Sequence, residues 1–215
     1  LSDQTPTDEK TYAEYLCDPF NPVPYTAKFE DSKSFYNEVH LIEDQRYVST
    51  RPDVLTFESE VLTQDVTIAG PIIADLFVST TGTDADFVVK VIDVYPDNEN
   101  DSDPNPAQVE MGGYERLVRT EIMRGKFRNS FETPAPFTPN KIEKVKFDLP
   151  DVAHTFKKGH RVMIQIQSSW FPLADRNPQK FVNIYEADIT DFQKATIRIH
   201  HDATNSSNIL LPVVK

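Results

Sequence analysis

The sequence predicts an all-β chain, two antiparallel sheets packed as a jelly-roll sandwich and preceded by an irregular N-terminal segment. Three observations lead there. Short runs of alternating or β-branched apolar residues recur along the chain, long helical periodicity is nearly absent, and sixteen prolines stand against six glycines. That balance points to turns built on the fixed φ of proline rather than on left-handed backbone. A jelly roll closes many strands without the crossover helices of a parallel sheet.

Residues 1–50 are polar and set Pro6, Pro19, Pro22 and Pro24 among Tyr12, Tyr15, Phe20, Tyr25, Phe29, Phe35 and Tyr36. Such a segment has no core of its own. It is expected to pack on the sandwich or a neighbouring domain; the plainer alternative is an ordinary extension. Within it, Thr11–Leu16 reads as a helical turn. The sandwich itself is expected over 51–215. Early strands fall near Val54–Phe57, Val66–Ile68, Ile72–Ser79 and Gln108–Arg124.

Between them, Val88, Lys90, Ile92 and Val94 interleave with Val89, Val91 and Asp93 in a stretch too short for a membrane span. Ile142–Leu149 alternates more strictly. His160–Gln167 places Val162, Ile164 and Ile166 on one face, with Arg161, Gln165 and Gln167 largely on the other. Ala195–His200 and Ile209–Val214 are late strands, and Ile184–Phe192 is a second candidate for a helical turn. The total is nine or ten strands, the spacing of a sandwich.

Composition bounds the function. The chain has 215 residues, 39% hydrophobic and 11% aromatic, enough for a substantial core in one large β domain or, as the second choice, two small ones. A formal charge of −12 repels nucleic acid and anionic membrane surfaces. No apolar run approaches the roughly 20 residues that cross a bilayer as a helix. The chain starts at Leu1 with no basic-then-apolar leader, and the absent initiator Met points to a fragment or processed product. Cys17 is the single cysteine, so neither an internal disulfide nor a thiolate cluster can form.

Catalytic motifs are missing. A hydrolase nucleophile elbow needs Gly-x-Ser-x-Gly on a sharp strand-to-helix turn, and none of the six glycines stands two residues before a serine. No His-Glu-x-x-His occurs, nor a phosphate-cradling glycine loop. His40, His154, His160, His200 and His201 read as surface or satisfied core histidines, the last two pointing to opposite faces. The acidic run Asp97–Asp103 fails as a calcium loop, with Ser102 and Gln108 where Gly and Glu are needed. A solvated hairpin loop is the simpler reading. No cofactor and no metal is expected.

Three polar clusters draw attention. Ser168–Pro178 holds the only tryptophan, Trp170, then Phe171 and an Asp175–Arg176 pair followed by Asn177, between Pro172 and Pro178. Trp170 and Phe171 could face a ligand or another domain, or the loop could cap the core with Arg176 satisfying nearby carbonyls. Ser79–Asp86 has the hydroxyl and carboxylate content of a loop bonded to its own backbone. Glu43–Arg46 with Arg51–Asp53 could tie the N-terminal segment to the sandwich.

At these residues the chain resembles the C-terminal domain of the X-Pro dipeptidyl-peptidase and cocaine-esterase group of serine hydrolases, most closely the α-amino acid ester hydrolases and cephalosporin glutaryl acylases. The resemblance runs through Asp18-Pro19 with Pro22-Val23-Pro24, Asp44-Gln45-Arg46, Arg51–Leu55, Val66–Gly70, Ser79–Phe87 and Lys90–Val94. It continues through Arg124–Arg128, Gly159-His160-Arg161 and the Ser168–Pro178 loop. Each motif is weak alone; their shared order from about residue 17 to Lys215 is specific.

The resemblance implies a galactose-binding-like jelly roll packed on an α/β-hydrolase domain with a helical cap. The Ser-Asp-His triad would lie upstream, so no catalytic residue carries over to this chain. In relatives the stretch matching Tyr25–Glu43 reaches the active site, which makes Phe29, Phe35 and Tyr36 candidate walls of the acyl pocket. Trp170, Phe171, Asp175, Arg176 and Asn177 become an interdomain or structural loop. The implied partner is a catalytic domain of the same polypeptide, with a homo-oligomer as a further possibility and no nucleic acid or membrane partner. The nearest relatives imply an extracytoplasmic location. The rival reading is a carbohydrate-binding module with Trp170, Tyr185 and Tyr114 as its platform; a third is a self-sufficient assembly domain.

Overall fold

The computed structural model describes residues 1–2, 4–27 and 38–214. Among them are nine strands: β1 (Tyr12–Cys17), β2 (Leu55–Glu58), β3 (Val66–Thr80), β4 (Asp86–Val94), β5 (Glu115–Arg124), β6 (Glu143–Phe156), β7 (Arg161–Gln167), β8 (Ala195–His200) and β9 (Asn208–Leu210). One sheet has the order β1-β8-β3-β6, with β9 also on β3; the other has the order β2-β7-β4-β5. All pairings between these strands are antiparallel. Apart from the β4–β5 hairpin and the β8–β9 run, successive strands cross between the sheets. That interleaving is the expected jelly-roll sandwich.

The strands follow the side-chain pattern that predicted them. Ile68, Ile72, Ala74, Leu76 and Val78 of β3 meet Phe87, Val89 and Val91 of β4 and Val162, Ile164 and Ile166 of β7 in one inter-sheet core. The two early stretches at 66–68 and 72–79 are a single strand. It is broken by a bulge between Gly70 and Ile72, where Gly70 takes φ +124°. Opposite this bulge β6 runs past Pro150, whose missing N–H would break a regular ladder.

The late strands share one edge of β3. β8 pairs with Phe77–Thr80, β9 with Ile73–Asp75, and Val213 bridges Ile68. Residues 197–200 and 208–214 thus run beside β3.

Three more expectations change. The late strand Ile209–Val214 shortens to Asn208–Leu210, with Val213 joined to Ile68 by an isolated bridge. Thr11–Leu16 is not a helical turn, because Tyr12–Cys17 is the edge strand β1 on β8. Tyr15 and Cys17 point inward while Leu16 is half-exposed, a period of two that so short a run barely displays. The strand expected from Gln108 begins only at Glu115, with turns before it. Ile184–Phe192 does contain two 3-10 turns, Ile184–Glu186 and Ile189–Asp191.

Several motif residues are structural. Arg128 ion-pairs with Glu143 at 2.5 Å, stacks 4.0 Å from the Phe137 ring centroid and donates to Ala135 O and Pro136 O. Gly125 sits so close that a Cβ would lie 2.5 Å from both Ala85 O and the Phe137 ring. Asp93 joins the two sheets, hydrogen-bonded to His154 Nε2 at 2.9 Å on β6 and to His160 Nδ1 at 2.7 Å before β7.

Replacing Phe87, fully buried against Phe137, with alanine should lower unfolding free energy by about 3–5 kcal/mol in urea titration. Tyr185→Ala, at a site 85% exposed, should stay within about 0.5 kcal/mol of the parent.

Candidate functional site

β4 is covered on both faces. Its inner residues enter the inter-sheet core, and its outer residues Val88, Ile92 and Val94 join Tyr25, Leu117, Met163 and Trp170 in a second apolar cluster. All nine residues of β4 are buried. An antiparallel sheet can leave one face to water; here the N-terminal segment and the Ser168–Pro178 loop cover it.

That cover is bonded along its length. Phe171 N donates to Val23 O at 2.9 Å and Tyr25 N to Phe171 O at 3.0 Å, so segment and loop pair as a parallel bridge at Pro24. Ser169 Oγ accepts from Val23 N at 2.8 Å. Val23, Val48 and Val54 form a small third cluster, with Val48 on the short helix α1 (Arg46–Ser49). Arg51 chelates Asp53 through Nε and Nη2 and also reaches Asn21 O. The polar cluster at 43–53 therefore does tie the segment to the sandwich.

Beneath the cover lies a charge. Lys90 is wholly buried on the outer face of β4; its Nζ donates to Gln45 Oε1 at 2.8 Å and stands 5.4 Å from the Trp170 ring centroid. Burial pushes its ammonium down to about pKa 7, opposed by the nearby Glu43 and Glu115 carboxylates. Burial likewise lifts Glu115 to about 7, with Asp44 adding to the rise.

Gln45 Nε2 donates to Glu43 O at 2.8 Å. Glu43 Oε1 in turn accepts from Thr26 Oγ1 at 3.2 Å and Ala27 N at 3.1 Å. Glu43 thus holds together the two described ends of the Tyr25–Glu43 stretch. Phe29, Phe35 and Tyr36 lie outside the described residues.

The Ser168–Pro178 loop divides by residue. Trp170 is only 5% exposed and makes edge contact with His40, whose ring also meets Tyr25. Asp175 and Arg176 do not form the local pair their adjacency suggested. Asp175 reaches Arg124 of β5 at 3.3 Å, and Arg176 donates to Pro19 O at 3.1 Å beside Phe171 and Phe192. Phe171 is partly exposed. Asn177 is buried and donates to Asp86 Oδ1 at 2.8 Å, while its own Oδ1 accepts from Gln179 N. Burial raises the Asp86 carboxyl to about 7, and the neighbouring Asp84 adds to that. In the 79–86 loop, Asp84 Oδ1 accepts from Ala85 N and Thr80 Oγ1 from Gly82 N, the self-bonding its composition predicted.

Beside Trp170 the surface opens into a cleft of about 520 Å³ between the His40–Ile42 segment, β5 and β6. The sequence reading missed both this cleft and the Lys90–Gln45 contact. One signal for the contact was present, a lysine in the middle of a β-branched strand. The aromatic platform of a sugar-binding module does not form: Trp170 is buried, Tyr185 sits on a 3-10 turn, and Tyr114 precedes β5 with its hydroxyl on Ile42 O.

A family model described as the X-Pro dipeptidyl-peptidase C-terminal non-catalytic domain matches residues 2–210. Cocaine esterase of Rhodococcus sp. (strain MB1 Bresler) is 33% identical over 201 residues, covering 94% of this chain and 32% of that protein. The structure of an aminopeptidase from the marine sediment archaeon Thaumarchaeota archaeon superposes at TM-score 0.90 with 40% identity, over 99% of this chain and 34% of that one. An α-amino acid ester hydrolase structure gives a TM-score of 0.85 and 46% identity, over 94% and 32%. A CocE/NonD family hydrolase from Staphylococcus aureus, 15% identical at TM-score 0.58, shares the fold. The chain spans about a third of the length of these relatives.

Two titrations test the buried charges. Lys90 holds its proton less firmly folded than unfolded, so from about pH 7 towards 10.5 its contribution to stability rises with pH. Lys90→Met should remove that rise, read as the difference between the two proteins in urea melts at pH 7 and 8.5. Asp86 holds its proton more firmly when folded, so its contribution falls as pH rises from about 3.8 to 7. Asp86→Asn should flatten that decline in the same measurement made at pH 5 and 7.

Proposed function

Because this chain belongs to the X-Pro dipeptidyl-peptidase C-terminal non-catalytic domain family, we propose that it is the accessory domain of a larger serine hydrolase and completes one side of that enzyme's acyl pocket. The carrying observation is a family match over almost the whole chain, beside hydrolase relatives three times as long. The absence of Gly-x-Ser-x-Gly from the sequence supports placing the nucleophile, its histidine base and the oxyanion hole in another domain of the same polypeptide. The parent reaction is attack on an ester or amide through an acyl-enzyme.

The contribution of this domain is shape. The Tyr25–Glu43 stretch supplies the wall, with Phe29, Phe35 and Tyr36 as its apolar surface; such walls orient an acyl group and exclude water while the serine does the chemistry. The hydrogen bonds from Thr26 and Ala27 to Glu43, and from Lys90 to Gln45, support this role because they fix the base of the stretch on a rigid sheet. In the Ser168–Pro178 loop, Arg176 and Asn177 serve the fold and the Trp170 ring packs in the second apolar cluster, leaving the indole N–H, Phe171 and Asp175 to meet a neighbouring domain.

The purified chain should hydrolyse p-nitrophenyl esters and an amino-acid ester no faster than buffer. The full-length polypeptide should turn both over and lose activity to a serine-directed inhibitor. Turnover by the chain alone would overturn the reading.

A further inference from the structure

The cleft beside Trp170 differs in charge from the chain as a whole. The chain carries thirty-four acidic and twenty-two basic residues, yet the described lining of the cleft includes Arg116, Arg119, His40 and His154 and no Asp or Glu. Three buried polar atoms of lining residues have no hydrogen-bond partner: Trp170 Nε1, Arg119 Nε and Thr120 Oγ1. Indole and guanidinium N–H groups can only donate. Leaving them buried without acceptors is unfavourable, and native folds rarely do so without a reason.

The rim is apolar. Leu41 and Ile42 are 52% and 53% exposed, and Leu173 is 37% exposed. Exposed large aliphatic side chains beside buried Trp and Arg donors are features of an interface, where such anchors sit in desolvated pockets and the contacts around them exclude water. A small molecule in the cleft would satisfy the donors and leave Leu41 and Ile42 in water. The partner that fits offers oxygen acceptors, either carboxylates facing the two guanidiniums or free backbone carbonyls, flanked by apolar side chains. The chain spans 32–34% of its relatives, so a polypeptide of their kind has a large domain to place there.

We infer that this cleft is where the catalytic domain of the same polypeptide docks, through acceptor groups that meet Trp170 Nε1 and Arg119 and an apolar collar on Leu41, Ile42 and Leu173. The inference rests on the accessory-domain reading and adds the location and chemistry of the contact.

Hydrogen–deuterium exchange of the full-length polypeptide and of this chain tests it. Peptides spanning 38–43 and 116–120 should exchange at least tenfold more slowly in the full-length polypeptide, with the 184–191 turns unchanged. The double variant Leu41→Asp, Ile42→Asp alters only the exposed rim and should abolish that protection in the full-length polypeptide. Arg119→Glu should do the same, its folding checked by the melting temperature of this chain bearing the substitution. Equal exchange in the two forms would overturn the inference. So would protection of these peptides in the isolated chain by millimolar benzoate, which would make the cleft a small-carboxylate site. Protection that grows with the concentration of the isolated chain would assign the cleft to a second copy and also overturn it. Exchange is read whether or not an ester is hydrolysed. An inactive full-length polypeptide would therefore sink the proposed function, whereas unprotected cleft peptides in an active one would sink only the docking site.

Discussion

The burial of β4 on both faces is the constraint on which the rest of the architecture depends. Its inner residues commit the four-stranded sheet to the sandwich, and its outer residues must be covered by something outside the two sheets. The cover is supplied by two segments far apart in sequence, 19–27 with 38–54 and 168–178. Neither would be stable over water alone, since each has too little apolar surface to offset its ordering entropy. They stabilise one another through the Pro24–Phe171 bridge and by closing over Trp170.

A buried lysine in such a place looks like a liability. Taking an ammonium out of water is costly, and a single amide oxygen compensates only part of that cost. Lys90 nevertheless gives the cover something apolar packing alone does not, a directional contact. Valine and leucine surfaces accept many registers of an overlying segment, whereas a hydrogen bond from Lys90 to Gln45, with Gln45 bonded to Glu43, accepts one. The Asp93 clamp does related work between the sheets, where one carboxylate meets a histidine from β6 and another from the start of β7. In both places stability is exchanged for a defined arrangement.

Much of the sandwich was legible because strand periodicity survives locally. Val162, Ile164 and Ile166 alternate with polar neighbours, and the structure puts them in the core. The alternation said nothing of what covers the other face. Gln165 and Gln167 share that face as expected, and both are buried beneath the cover. Periodicity reports which residues share a face, not what another part of the chain lays over it. Tyr12–Cys17 was lost for a related reason. Six residues with one acidic position fit a helical turn as well as a strand, and only pairing with β8, nearly two hundred residues later, decides between them. The cleft was invisible because its walls come from four separate stretches and its charge excess cancels within a strongly acidic chain.

The motifs that mark the family have structural duties wherever the structure describes them. Gly125 allows a close backbone approach, Arg128 gathers carbonyls, His160 holds Asp93 and Asn177 meets Asp86. A domain recognised by such residues is recognised by how it folds, which explains why they reveal ancestry and say little about substrate. Selective information about a reaction must then lie where the fold is not self-satisfied. On this chain those places are few among the described residues. The donors of Trp170 and Arg119 point to a contact that the domain cannot complete alone, and Glu43 clamps the two described ends of the 25–43 stretch over a rigid sheet. A non-catalytic domain shapes a reaction by lending rigidity at such points, and rigidity requires the buried, costly contacts found under the cover.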